Sequence, residues 1–388
     1  MESLAPGVLL RDIGRGTCGS VFEIPGTAQA IKKGANADAL WNDFLLTNRA
    51  YDSYLTWKRL LAAYFPQRRL PRVPSAQRFN GPEARDFWAA NLSRFPHADQ
   101  TIAAAFHLDQ ILPVPELTRK ALVRLFFQED EQVQNDVLND PPNKDCLVRL
   151  YFGQNNPNSS LYGPGDTLRN FPLYLDQART IGLDVDAYAE EMAIGLATLH
   201  WDAQVDAQDT EFVIGSSTAK PFRSDNPDPG SNKRPVSSMD NFTQRETQLW
   251  MLDFDKCSEV DLDSKDPMSD VVNKYLVAVT GNDPYFPHPR LDPDLWRHFR
   301  KAYLKASDFI IRTRPRLKRH VSKLPTMLIE QWEQWGDRDV EAEDFDPFER
   351  VSGDEEVESE SEVDDTDAED DDSEEDEDED SQESSEGE

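Results

Sequence analysis

An α+β fold in two lobes is what this sequence predicts: a small sheet-built lobe over residues 1–152 and a larger helical lobe over 153–336, followed by a disordered acidic tail over 337–388. Three observations predict it. Short apolar runs broken by glycines fill residues 7–33, the pattern of a small antiparallel sheet. Segments with helical periodicity and recognisable caps recur through the rest of the chain. Charge is segregated: residues 341–388 carry 28 Asp and Glu against Arg350 alone, leaving only −6 of the total −33 for residues 1–340. A body of ordinary charge therefore carries a tail too polar to bury a core.

Taken in order, "GVLLRDI" and "SVFEI" read as strands flanking a glycine loop, and a tight Pro25-Gly26 turn leads into a third strand, "AQAIKK". The run "DALWNDFLLTNRAYDSYLTWKRLLAAYF" is helical, with Leu40, Phe44, Thr47 and Tyr51 at helical spacing and Trp41, Leu45 and Asn48 alongside. Residues 75–100 are polar and carry no clear period, and "AFHLDQILPVP" is a strand that stops at its prolines. Pro115 is expected at the first position of the helix "PELTRKALVRLFFQ", with Glu116 near the positive end of its dipole. A polar loop over 129–145 precedes the buried strand "CLVRLYFG", and "QNNPNSSLYGPGD" is loop. The helix "DAYAEEMAIGLATLHW" is expected to be capped by Asp186 and to bury Tyr188, Met192, Leu196 and Leu199. Residues 215–240 read as a mobile insertion before the apolar strand "QLWMLDFD". Asp292 and Pro293 open another helix, and "PTMLIEQWEQW" is expected to close at Gly336.

Several classes of protein are excluded. Cys18, Cys146 and Cys257 are scattered without a Cys-x-x-Cys pair, which argues against a disulfide framework or a zinc finger; no zinc is expected. No run approaches the roughly 18 apolar residues of a membrane span, and the N-terminus lacks a signal-peptide pattern. These features predict an intracellular protein, nuclear or cytoplasmic.

The chemistry lies in three stretches. In "IGRGTCGSVFEIPGTAQAIKK", Gly14, Gly16 and Gly19 would let backbone N–H groups approach phosphate oxygens, with Lys32 as a fixed cation on the next strand. The competing reading is a plain glycine-rich hairpin. In "LHWDAQVDAQDTEFVIG", Asp206 and Glu211 stand five residues apart before an apolar strand, or else belong to an acidic surface loop. In "WMLDFDKC", an apolar strand ends in Asp253. The order of these parts resembles that of protein kinases and the related small-molecule phosphotransferases. The resemblance implies a kinase-like bilobal fold with magnesium-ATP between the lobes. It implies Gly14, Gly16, Gly19 and Lys32 as the nucleotide site, with Asp43 in "LWNDF", or else Asp52, standing where kinases carry the helix Glu that pairs with the lysine. Asp206 would then be the catalytic base, and Glu211 and Asp253 the magnesium ligands. Departures accompany it. Gln204 and Val205 stand where kinases carry His and Arg, Glu211 replaces an Asn, and Asp255 replaces a Gly.

Five runs, "KDCLVRLYFG", "LRNFPLYLDQ", "LHWDAQVDAQDTEFVIG", "WMLDFDKC" and "NDPYFPHP", also resemble an uncharacterised fungal family often labelled a zinc-finger protein, over about residues 7–312. That family carries no activity to transfer. "NDPYFPHP" either covers a cleft, docks a partner, or connects to the next helix.

The tail offers Ser352, Ser359, Ser361, Thr366 and Ser373 beside acids, as acid-directed kinases require. It suits basic partner proteins, or serves only to solubilise. The basic strip "RTRPRLKRHVSK" at 312–323 reads as an import signal, a nucleic-acid contact or the tail's own partner. Direct nucleic-acid binding is disfavoured by the net charge of −33. Two functions therefore stand open: an atypical phosphotransferase acting on a hydroxyl, and a pseudokinase-like module that recruits basic proteins.

Overall fold

The computed structural model describes residues 8–158, 160–219, 241–262, 268–314 and 319–341. Most of the expected 215–240 insertion, part of the basic strip and residues 342–388 of the acidic tail lie outside them. The described chain forms a mixed α+β structure with one sheet of five strands and another of four.

The first sheet begins with β1 (Arg11–Gly16), β2 (Gly19–Glu23) and β3 (Gln29–Gly34). Helix α1 (Ala37–Tyr64) follows, then β4 (Ala76–Asn80), the short helix α2 (Arg85–Asn91) and β5 (Ala104–Asp109). The strand order is β1-β2-β3-β5-β4, antiparallel throughout. Side-chain alternation gives the sheet two faces. Phe22 and Ile31 pack with Trp88 and Phe95 on one side, while Phe106 meets Leu40 and Phe44 of α1 on the other. The segment 75–100, without period in the sequence, thus supplies β4 and the α2 cover. Both elements are too short to show a period.

Asn36 caps α1, accepting from the N–H groups of Asp38 and Ala39 at 3.1 Å each. The expected stripe on this helix is only partly right. Leu40 and Thr47 are buried, but Trp41 and Leu45 are each 44% exposed, and the deep side is Asp43, Leu46, Ala50, Ser53 and Trp57. A polar residue faces inward here because a cation waits for it.

Helices α3 (Glu116–Phe126) and α4 (Glu131–Asn139) lead to β6 (Val148–Tyr151), β7 (Phe171–Tyr174) and the short α5 (Leu175–Thr180). Pro115 is the cap of α3 rather than its first residue. α4 replaces an expected polar loop, its start fixed by Asp130 accepting from Gln132 and Val133 N–H. Helix α6 (Val185–Thr198) is capped by Asp184, not Asp186, through the N–H of Ala187 at 3.0 Å. The helix begins two residues earlier than expected. Met192, Leu196 and Leu199 are fully buried as expected, and Tyr188 is half-buried.

α6 passes into a wider π-helical turn, Leu199–Ala203, ended by Gln204 in the left-handed conformation. Strands β8 (Glu211–Ala219) and β9 (Asn241–Leu252) form a long hairpin, and the second sheet runs β7-β6-β8-β9. Residues 215–219, expected in the mobile insertion, are therefore strand. Helices α7 (Met268–Thr280), α8 (Pro293–Thr313) and α9 (Leu324–Glu341) complete the main core with α6. Asp292 caps α8 as expected. α9 does not close at Gly336 but runs on to Glu341, so the expected tail begins with helix. A Cβ on Gly336 would stand 3.1 Å from Pro289, so glycine lets α9 pack closely there, and Asp337 holds Arg290 at 2.8 Å one residue further on.

Candidate functional site

Lys32 sits in the middle of the first sheet, opposite Val21 on β2 and Phe106 on β5. Its ammonium lies 2.7 Å from Asp43 on α1 and 2.7 Å from Asp253, which follows β9. A third carboxylate, Asp255, is 3.7 Å away. The lysine side chain is only 10% exposed, so one buried cation ties the first sheet, α1 and the end of the second sheet together. Burial works against its charge, but Asp253, Asp43 and Asp255 more than offset it and hold the ammonium well above the usual lysine range.

Each partner is positioned by its own neighbours. Thr47 donates to Asp43 Oδ1 at 3.1 Å, and the Phe254 N–H donates to the same oxygen at 3.3 Å. Asn42, one residue before, donates to the carbonyls of Asp255 and Cys257. Asp253 adopts a left-handed backbone, φ 62°, which turns the chain so that Asp253 and Asp255 both face Lys32. Despite burial, the Asp253 carboxyl is held below its usual range, chiefly by Lys32. Asp255 moves the other way, up to about 6, because of its burial and the neighbouring Asp253 charge.

The glycine hairpin lies at the end of β3. A Cβ on Gly19 would stand 2.4 Å from the Lys33 carbonyl oxygen, so packing alone demands glycine there. A Cβ on Gly14 would come no nearer than 4.0 Å to anything, and one on Gly16 would meet nothing within 4 Å. The protein's own packing gives no reason for those two. At the hairpin tip the Cys18 thiol hydrogen-bonds to Asp255, and burial together with that carboxylate pushes the thiol up to about 11.

The remaining predicted residues are placed differently. Asp206 is 2% exposed, and its Oδ1 accepts from the N–H groups of Ser258 at 2.9 Å and Gln208 at 3.2 Å. Burial raises its pKa, with those backbone donors opposing. Glu211 pairs with Arg149 of β6, which also reaches Asp283 at 3.5 Å; Tyr151 donates to Asp283 at 2.7 Å. Burial pushes Glu211 up to about 7; Arg149 opposes, and the charges of Asp253, Asp283 and Asp209 add to the rise. Lys32, Asp43 and Asp253 therefore come into direct contact, and Glu211 lies within electrostatic reach of Asp253. Asp206 is committed to backbone.

Asp255, Arg149 and Asp283 were missed by sequence reasoning. The signal for Arg149 was a charge inside the apolar strand "CLVRLYFG", and "NDPYFPHP" proves to carry Asp283 beside it. A surface cavity of about 490 Å³ beside Phe126, Tyr162 and Gln177 shares none of these residues. Asp253, its side chain 31% exposed, and Glu211, 15% exposed, are hard oxygen donors. That chemistry fits magnesium, which is held by one or two carboxylates together with substrate phosphates.

A family of unknown function, DUF3669, described as "Zinc finger protein", matches residues 249–315. No curated protein and no solved structure matches the chain. The matched stretch contains Cys257, His288 and His298. The Cys257 thiol donates to the Gln208 carbonyl, His288 faces Asp339 and His298 faces Glu190. Among the described residues no three His, Cys, Asp or Glu side chains gather as a metal-binding group.

Proposed function

We propose that this protein is an atypical, kinase-like phosphotransferase that binds magnesium-ATP between its two sheets and transfers phosphate to a hydroxyl. The observation that carries the reading is Lys32, 2.7 Å from both Asp43 and Asp253. A lysine on the third strand, a helix carboxylate behind it and a metal-binding carboxylate after a later strand are the parts that hold and orient a nucleoside triphosphate. The unpacked Gly14 and Gly16 support the same reading, because phosphate oxygens need backbone that no Cβ shields. Lys32 would neutralise phosphate, and Asp253 with Glu211 would hold magnesium.

A second reading has its own observation. Asp206 is taken up by two backbone donors and Glu211 by Arg149, which favours a pseudokinase-like module whose acidic tail recruits basic proteins. Thermal denaturation with ATP, with and without magnesium, tests the nucleotide half of both. The phosphotransferase reading predicts a rise in melting temperature that grows with ATP and requires magnesium. No shift at millimolar nucleotide would leave the binding-module reading alone.

A further inference from the structure

We infer that the aromatic pair Phe345 and Phe348, in the segment beyond α9, docks within its own chain into the surface cavity between α5 and the end of α3. The inference does not depend on the phosphotransferase reading.

The cavity, about 490 Å³, has the size of a small-ligand site. Phe126, Leu161 and Tyr162 form its apolar side, and Asn156, Asp176 and Thr180 a polar one. It is built to keep its shape. The Tyr162 N–H donates to the Phe126 carbonyl and the Gln128 N–H to the Tyr162 carbonyl, both at 2.9 Å, which fastens the wall to the end of α3. Phe126 and Tyr162 both pack on Phe171, with ring centroids 6.1 and 5.4 Å away. Asp176 is held in place by accepting from the Asn156 N–H at 2.8 Å. The apolar side is nevertheless uncovered, with Leu161 at its rim 46% exposed.

The occupant is identified by where the described chain ends. α9 stops at Glu341 with its last turns pinned: Asp337 holds Arg290 at 2.8 Å, and Asp339 faces His288 at 3.2 Å. Two residues after Arg290, Asp292 pairs with Arg179 of α5, which adjoins Thr180 in the cavity wall. Two ion pairs thus connect the end of α9 to the cavity. Phe345 lies four residues beyond Glu341 and Phe348 seven, spans of up to about 14 and 25 Å in extended chain. No other aromatic residue follows α9, so the apolar surface of an otherwise acidic segment is concentrated in this pair. A docked Phe buries roughly 150–250 Å². Pro347 fixes its own φ and biases Asp346 toward extended backbone, so "FDPF" has few conformations to lose on docking. In a polyproline-II turn of three residues, positions three apart fall on one side, and both rings would face the cavity together.

A fluorescein-labelled peptide of residues 341–352, titrated with full-length wild type and with full-length Phe345→Ser/Phe348→Ser, tests this by anisotropy. The double variant, its cavity vacated, should bind the peptide saturably. Wild type should bind it at least tenfold more weakly, because its own tethered segment competes at an effective concentration in the millimolar range. Leu161→Asp added to the double variant should abolish binding without lowering cooperative melting, since Leu161 is exposed. Should the double variant not fold, Phe348→Ser alone makes the same comparison. Equal binding by wild type and double variant, or binding by neither, would overturn the inference. Binding that survives Leu161→Asp would overturn it as well, by removing the cavity as the site. A wild-type dimer in sedimentation that Phe345→Ser/Phe348→Ser dissolves would place the segment on a second copy and overturn docking within one chain.

Discussion

Lys32 and Asp206 are both buried charged residues, yet the structure uses them in opposite ways. Lys32 gathers carboxylates from α1 and from the segment after β9, so its contacts are long-range and charged. Asp206 is satisfied by backbone N–H groups, one of them only two residues away. The first arrangement stores charge where a ligand could compete for it; the second consumes charge to hold a loop. A buried ion pair contributes little over an apolar substitute, whereas breaking one by removing a single partner is costly. Holding Lys32 among three carboxylates is thus a poor device for stability, and the phosphotransferase proposal gives the cluster another use.

That contrast gives predictions of decreasing size. Lys32→Met should be the most damaging, because it leaves Asp43, Asp253 and Asp255 without their cation; a loss of about 3–5 kcal/mol in denaturant unfolding is expected. A midpoint unchanged from wild type would mean that the lysine does not bind the two sheets together. Smaller is the effect of pH. Glu211 and Asp255 lie above their unfolded values, at about 7 and about 6, so the folded state binds more protons than the unfolded chain between roughly pH 4 and 7. Their contribution is fully present below that window and is lost as pH rises through it. The melting temperature should therefore fall modestly from pH 6 to pH 8, and Glu211→Gln should flatten the profile. An equally steep profile in Glu211→Gln would show that another group titrates there.

The contacts of Lys32 were legible in the sequence, and those of Asp206 were not. Gly14, Gly16, Gly19, Lys32 and Asp253 stand in an order that carries chemical meaning, and Asp43 was identifiable as an acid on the helix after the lysine. Asp206 was selected by its spacing from Glu211, but spacing cannot tell which of two nearby acids turns into backbone. That depends on the pairing of residues 204–206 with 258–260, a contact between distant parts of the chain. Caps shifted for a more local reason: Asp184 and Asp186 are both good caps by residue type, and the Asp184 side chain is the one that accepts from the Ala187 N–H. β4 and α4 were missed because elements of five and nine residues are too short for periodicity to show.

The central claim is that the Lys32–Asp253 pair is a phosphate and metal site. Calorimetric titration of magnesium-ATP into wild type, Lys32→Ala and Asp253→Asn tests it most directly. Wild type should bind saturably and only with magnesium. Folded Lys32→Ala should bind at least tenfold more weakly, and Asp253→Asn should lose the magnesium dependence. Binding of equal strength by wild type and both variants, or no binding by wild type up to millimolar ATP, would contradict the claim.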